Sequence, residues 1–236
     1  VTPSKWLDML VGESYLKEYD RLVIYNGIDK TAFRILDKKD EAIKRLRDKY
    51  EIDFDCKIIL GVANIWDHRK GLEEFYGLSD RLLQDRDVCS KTIIVLIGVT
   101  GRIIRHLRRY YDGRIIGIKH TESVNELVAW YNLADVYVNP TLEDNFPTTN
   151  IEALSCGTPV VTYETGGSPE SLDVTCGRVV KKGDRDCLKE AVLDLIAKKS
   201  KLTVHCVERS KYYDRNTRLT EYVDIMENMA GFGEDR

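Results

Sequence analysis

The sequence contains no Cys-x-x-Cys pair. Its six cysteines (Cys56, Cys89, Cys156, Cys176, Cys187 and Cys206) stand singly, and four histidines do not complete a metal-ligand set. A disulfide or zinc framework is thereby excluded, and the cysteines read as reduced thiols. No apolar run approaches the roughly 18 residues that span a bilayer. The first residues also lack the basic-then-apolar order of a secretory leader, so the reading is a cytoplasmic protein. Neither sign of charge dominates: 36 Lys+Arg stand against 39 Asp+Glu, for a net charge of −3. Broad nucleic-acid binding needs a basic field to release counterions, so no nucleic-acid partner is expected and any phosphate must be gripped locally.

Three catalytic signatures are also missing. No G-x-G-x-x-G follows an apolar run, no G-x-x-x-x-G-K-[ST] occurs, and no G-x-S-x-G elbow is present. Dinucleotide, P-loop and serine-hydrolase readings lose their main support.

What is present is a repeat of short apolar runs and amphipathic stretches. KIILGV, TIIVLIG, RIIGI, DVYVN, PVVTY and RVV read as strands. Between them, Leu72, Phe75, Tyr76, Leu82 and Leu83 mark one helix, and Val124, Leu127, Val128 and Tyr131 another. A third runs from Asp184 to Lys198 with Leu188, Ala191, Val192, Leu195 and Ile196 on one face. Strand alternating with helix six times predicts an α/β fold, a doubly wound parallel six-stranded Rossmann-like sheet with helices on both faces. At 236 residues such a domain buries roughly 70 to 75% of its unfolded surface without any covalent staple.

The ends depart from the repeat. Ser4 to Leu16 reads as an amphipathic helix, LVIYNGID as a strand entering an Asn-Gly turn, and residues 201–230 as two terminal helices. Such elements normally have something to pack against. The expected organisation is therefore residues 1–30 as the tail of a preceding domain with its linker, 31–200 as the sheet domain, and 201–236 as helices returning toward that preceding domain.

In an open α/β sheet the ligand crevice lies beyond the carboxyl ends of the strands, where strand order reverses. In a 3-2-1-4-5-6 order the loop after the first strand, Ala63 to Gly71, neighbours the loop after the fourth, Asn139 to Thr149. The first carries Asp67, His68, Arg69 and Lys70. The second enters a helix at Pro147, Thr148 and Thr149, whose free N–H groups suit an anion. Asp144 precedes that helix and Glu152 lies within it; both can accept from hydroxyl groups of a ligand, or Asp144 can cap the helix while Glu152 makes a structural pair. In ETGGSPE after the fifth strand, Gly166 and Gly167 permit a close backbone approach or a plain turn, and Ser168 can cap a helix begun by Pro169.

With Asp144, Glu152, the Gly166-Gly167 turn and Arg69-Lys70-Gly71 on one sheet edge, the sequence resembles the family-four retaining glycosyltransferases, which have the two-domain GT-B fold. The resemblance covers the nucleotide-sugar-binding half, roughly residues 55–200, and extends to NGID at 26–29 as the interdomain linker and TPSKWL at 2–7 as the last helix of the other half. It implies that Glu152 holds the ribose hydroxyls, Asp144 the transferred sugar and Lys70 the diphosphate. Asp144 is one methylene shorter than the family's glutamate, with Glu143 beside it, and Asn64 stands where the family has an Arg, a loss that Arg69 can repair. It further implies sugar and diphosphate contacts from the backbone around Asn145, Phe146, Pro147, Thr148 and Thr149, an approach by Gly167, and a base seat at Ile118 and Lys119. The expected donor is a nucleotide-diphosphate sugar, most commonly a UDP-sugar, with no cofactor and no metal. A glycan or lipid-linked acceptor would come through the N-terminal half, in cell-surface polysaccharide assembly, so this chain would bind donor and transfer little alone.

Two alternatives stay open from the residues. The chain can be a non-catalytic nucleotide-sugar-binding or regulatory module whose sugar grip has drifted at Asp144 and Asn64. The stretch with Arg102, Arg105, Arg108 and Arg109 is either a solvated helix face or a peripheral contact with anionic lipid at the inner membrane face.

Overall fold

The computed structural model describes residues 1–37, 39–84 and 91–231. Six parallel strands form one sheet: β1 (Lys57–Val62), β2 (Thr92–Ile97), β3 (Ile115–Ile118), β4 (Val136–Asn139), β5 (Val160–Tyr163) and β6 (Gly177–Val180), in the order β3-β2-β1-β4-β5-β6. Period-two alternation sorts their side chains between two faces. Ile58, Leu60, Val95, Ile97 and Tyr137 point into one core, and Ile59, Ile94, Leu96, Val136 and Val138 into the other. The strands are apolar throughout because each face is covered.

The first core is covered by α2 (Glu41–Lys49), α5 (Val124–Leu133) and α6 (Thr148–Ser155); the second by α3 (Leu72–Leu82), α4 (Gly101–Tyr110) and α7 (Arg185–Lys211). Helix α2 adds an element that the strand-and-helix repeat does not include. Asp40 accepts from the Ala42 N–H at its start, and Ile43 and Leu46, one turn apart, seat it against the sheet domain. At the opposite end of the sheet from β6, Thr100 caps α4 through the Ile103 N–H. Only Leu107 of that helix is buried, and none of Arg102, Arg105, Arg108 or Arg109 has an ion pair among the described residues.

The ends differ from their sequence reading. Helix α1 is Lys5–Gly12 and stops well short of Leu16, because the Ser14 hydroxyl turns back to the Val11 carbonyl and the chain continues as turns. LVIYNGID forms no strand; it has only isolated bridges, Val23 with Thr2 and Ile28 with Asp214, because no neighbouring strand extends them. The helix expected to end at Lys198 runs on to Lys211 as one 27-residue element. No Gly or Pro interrupts residues 199–211, and Cys206 and Ser210 extend its buried face. After it α8 (Arg215–Gly231) is separate. Tyr25 and Ile28 near one end and Tyr213 near the other share a buried cluster with Phe146 and Ile151 of the sheet domain. Cys56, Cys156, Cys176, Cys187 and Cys206 are free thiols, and Cys89 lies outside the described residues.

Candidate active site

The loops after β1 and β4 meet at the carboxyl edge of the sheet, at the point where strand order reverses. Their junction is made by the backbone. The Arg69 carbonyl accepts from the Leu142 N–H at 2.6 Å and from the Thr141 hydroxyl at 3.2 Å. Gly71, at φ 73°, brings the first loop so close that an added Cβ would stand 2.2 Å from the Pro140 carbonyl oxygen. Only glycine fits there without moving one loop off the other.

Between the loops opens a cleft of about 440 Å³, floored by Val62, Val138 and Asn139. That volume falls within the range of small-ligand sites. Asp67 accepts from the Lys70 N–H at 3.1 Å and shapes the short turn His68–Lys70, which aims the Lys70 side chain across the cleft. Its Nζ donates to Asp144 Oδ2 at 2.6 Å. Arg69 instead bends back to Asp67, Nε to Oδ2 at 3.4 Å, and is mostly exposed at the lip.

The far wall is the start of α6. Pro147 occupies the cap position and no side chain caps this helix, so the Thr148 and Thr149 N–H groups are open toward the cleft. Asp144 is therefore the partner of Lys70 and not the helix cap. Glu152 lies one turn further in and leans toward α5, accepting from the Tyr131 hydroxyl at 2.9 Å. Burial pushes its carboxyl above the usual range, and hydrogen bonds from Tyr131 and Thr148 only partly offset this. Burial likewise raises the phenol of Tyr131.

Arg69, Lys70, Asp144, Phe146, Pro147, Thr148 and Thr149 thus line one cleft, with Asn64 and Trp66 across from them. Five of the expected residues do not line it. Glu152 borders it from within α6. Asn145 is exposed, and its carbonyl is turned onto Gly167, where an added Cβ would meet it at 2.0 Å. Gly166 and Gly167 are needed for that loop-to-loop contact; the Gly167 N–H donates to the Asp144 carbonyl at 3.2 Å. Ile118 is buried at the end of β3 and Lys119 reaches toward the start of α4, two strands away from β1 on the same edge.

Ser168 does not cap a helix. Its hydroxyl instead joins a buried polar cluster that the sequence does not announce. Asn150 donates to Ser168 Oγ at 3.0 Å and Ser171 Oγ at 2.9 Å, accepts from Asn139 at 2.8 Å, and Thr162 Oγ1 stands 2.7 Å from Ser168 Oγ. The cluster locks α6 to β4, β5 and the short helical turn Ser168–Ser171. Among the described residues, no three His, Cys, Asp or Glu side chains gather as a metal site, and no helix is long and apolar enough to cross a membrane.

An ammonium, an uncapped helix start and the Asp144 carboxylate thus face one cleft at the sheet edge, with Glu152 behind it. Residues 56–198 match the family described as "Glycosyl transferases group 1". The chain belongs to this family. A D-inositol 3-phosphate glycosyltransferase of Corynebacterium jeikeium is 28% identical over 141 residues, covering 57% of this chain and 33% of that protein. The group 1 glycosyltransferase sheet also superposes on solved structures. One is a sucrose-phosphate synthase from Thermosynechococcus elongatus, with TM-score 0.81, 20% identity, and coverage of 98% of this chain and 58% of that one. Another is Anabaena HepE in complex with UDP-glucose, with TM-score 0.75, 18% identity, and coverage of 96% and 63%. At those identities the likeness is one of fold, the Rossmann-like half of a GT-B protein. The chain spans about a third of that curated relative and less than two thirds of those solved chains.

The carboxylate inside α6 makes a pH prediction for this group 1 glycosyltransferase. Because the folded pKa of Glu152 is raised, the folded state binds its proton more tightly than the unfolded chain, whose Glu titrates near about 4.3. Stability then falls as pH rises from there through the folded value, and the ionised form is a cost at neutral pH. Glu152→Gln should melt higher than wild type at pH 7, with the difference vanishing toward pH 4. A melting difference that is flat over pH 4 to 8 would contradict this origin.

Proposed function

We propose that this chain is the donor-binding half of a retaining glycosyltransferase that moves a sugar from a nucleotide-diphosphate sugar to a glycan or lipid-linked acceptor. The observation that carries the reading is the Lys70 ammonium poised across the cleft from the open N–H groups of Thr148 and Thr149. Two positive ends facing one space suit a diphosphate. As the glycosidic bond lengthens, negative charge collects on the leaving diphosphate, and both groups stabilise it where it develops.

In this reading Asp144, beside Lys70, meets the transferred sugar, and Glu152, which borders the cleft from α6, meets the ribose hydroxyls. The donor is read as a UDP-sugar, in keeping with the UDP-glucose complex of the HepE neighbour. The acceptor enters from a second, N-terminal half, as a two-domain architecture requires. Lys70 and the helix start supply the charge that a divalent cation would otherwise supply, so chelation with EDTA is expected to leave donor affinity unchanged.

The test is titration calorimetry of this chain with UDP, UDP-glucose and GDP-mannose. A donor site discriminates among the sugars, whereas a nucleotide-only module holds UDP and UDP-glucose alike. Glu152→Ala should weaken binding roughly tenfold, the worth of one charge-assisted hydrogen bond. Binding of none of the three would sink the proposal.

A further inference from the structure

The turn behind the cleft carries a carboxylate, Glu170, that does not line the cleft and has no ion pair among the described residues. Its two oxygens instead take three neutral donors from the N-terminal segment. Oε2 accepts from the Lys5 N–H and the Tyr25 hydroxyl, and Oε1 from the Trp6 N–H, all at 2.9 Å. Two of these are first-turn amides of α1, which have no partner inside their own helix.

The turn holding Glu170 is itself fixed. Asn150 grips Ser168 and Ser171 on one side, and on the other Arg209 and Tyr213 donate to the Glu170 carbonyl at 2.6 and 2.7 Å. Glu170 therefore fastens the N-terminal segment to a turn that is itself held on two sides.

What it fastens lies against the cleft by two routes. Ser4, fully buried, sits on Gly167, whose added Cβ would meet the Ser4 Cβ at 2.7 Å, and Gly167 in turn holds the Asp144 carbonyl. Tyr25 lays its ring on Phe146, centroids 5.0 Å apart, and Phe146 lines the cleft. One end of Tyr25 is tied to Glu170 and the other supports the donor loop.

We propose that Glu170 is a positioning residue for the donor site: by clamping residues 4–6 and Tyr25 it presses the 144–146 loop into place, so that the segment preceding the sheet domain sets the position of Asp144 and Phe146. The inference rests on the donor reading of that cleft. It gives the N-terminal segment a role in donor binding although none of its residues lines the cleft.

The test compares Glu170→Gln, Glu170→Ala and Tyr25→Phe in the intact chain, the last keeping the ring on Phe146 while removing one bond. Amide hydrogen exchange is measured at residues 4–6, at 144–149 and at the sheet, together with UDP-glucose affinity by calorimetry. Glu170→Gln should raise exchange at 144–146 roughly tenfold while the sheet amides stay as in wild type, a local opening and not a global one. UDP-glucose affinity should fall in the order wild type, Tyr25→Phe, Glu170→Gln, Glu170→Ala, with the Ala variant at least tenfold weaker. Faster exchange confined to residues 4–6, with 144–146 unchanged, would overturn the proposal. So would unchanged donor affinity in the Ala variant. If wild type binds no nucleotide sugar, the donor reading fails, and the exchange at 144–146 still decides whether Glu170 holds that loop.

Discussion

Lys70→Ala is expected to weaken UDP-sugar binding by roughly 10²- to 10⁴-fold while leaving the fold intact. Two losses combine. The ammonium's charge-assisted contact with a phosphate is worth about 1.5 to 3 kcal/mol. Its removal also leaves Asp144, held at 2.6 Å in wild type, as an uncompensated carboxylate facing an anion. That like-charge contact adds a similar cost, and each 1.4 kcal/mol is about tenfold in affinity. Asp144→Asn acts in the opposite sense on the diphosphate, since it frees Lys70 from its pair, yet it weakens any hold on the sugar hydroxyls. The double variant Lys70→Ala/Asp144→Asn should therefore bind UDP better than Lys70→Ala alone. Calorimetry with UDP and UDP-glucose on the four proteins reads the coupling, and strictly additive effects would mean that the pair does not face the ligand.

Arg185→Ala should lower the melting temperature by about 4 to 8 °C. Arg185, the first residue of α7, forks onto Glu74 of α3, Nε to Oε2 at 3.1 Å and Nη2 to Oε1 at 2.9 Å, and the Tyr163 hydroxyl completes the set. Burial pushes the Glu74 carboxyl up, but hydrogen bonds from Arg185 and Tyr163 outweigh it and hold the carboxyl below its usual range. Glu74 is only 7% exposed, so without Arg185 its charge is buried with one partner. A stranded buried charge costs about 3 kcal/mol; because the guanidinium side is partly solvated, about 2 kcal/mol is the better figure here, and each such kcal/mol moves the melting point of a domain this size by about 2 to 4 °C. The pH dependence follows. Glu74's folded pKa lies below its unfolded value near about 4.3, so its contribution is complete above that pH and is lost as pH falls through the folded value. The gap between wild type and Arg185→Ala should narrow on acidification. A gap as wide at pH 3 as at pH 7 would place its origin elsewhere.

Particular elements show how much could be read in advance. The strands were legible because continuous apolar runs bounded by helical periodicity have one economical solution, and the order β3-β2-β1-β4-β5-β6 then placed the loops of Lys70 and Asp144 side by side. Helix ends were not legible where side chains far away in sequence decide them. Residues 199–211 continue α7 because Cys206 and Ser210 find buried partners, which spacing alone does not announce. LVIYNGID has the composition of a strand, but strand formation needs a neighbouring edge, and the structure offers it only single bridges. Thr162 reads as a strand residue, Ser168 as a helix cap, and Asn150 and Ser171 draw no reading of their own; their joint burial makes them a lock. Tyr131 reads as a core residue on its helical spacing, and only its distance from Glu152 assigns its hydroxyl a task.

The sequence by itself determined the class of fold, the sheet edge that carries the candidate site and the chemical types gathered there, because these follow from local periodicity and from where strands end. The tertiary structure alone decided which of those groups face one another: Lys70 with Asp144, Glu152 with Tyr131, and Glu170 with the N-terminal segment. Those pairings join residues 21 to 165 positions apart. Contacts of that kind are set by how loops pack once the sheet has closed its two cores, a constraint that no stretch of local sequence carries.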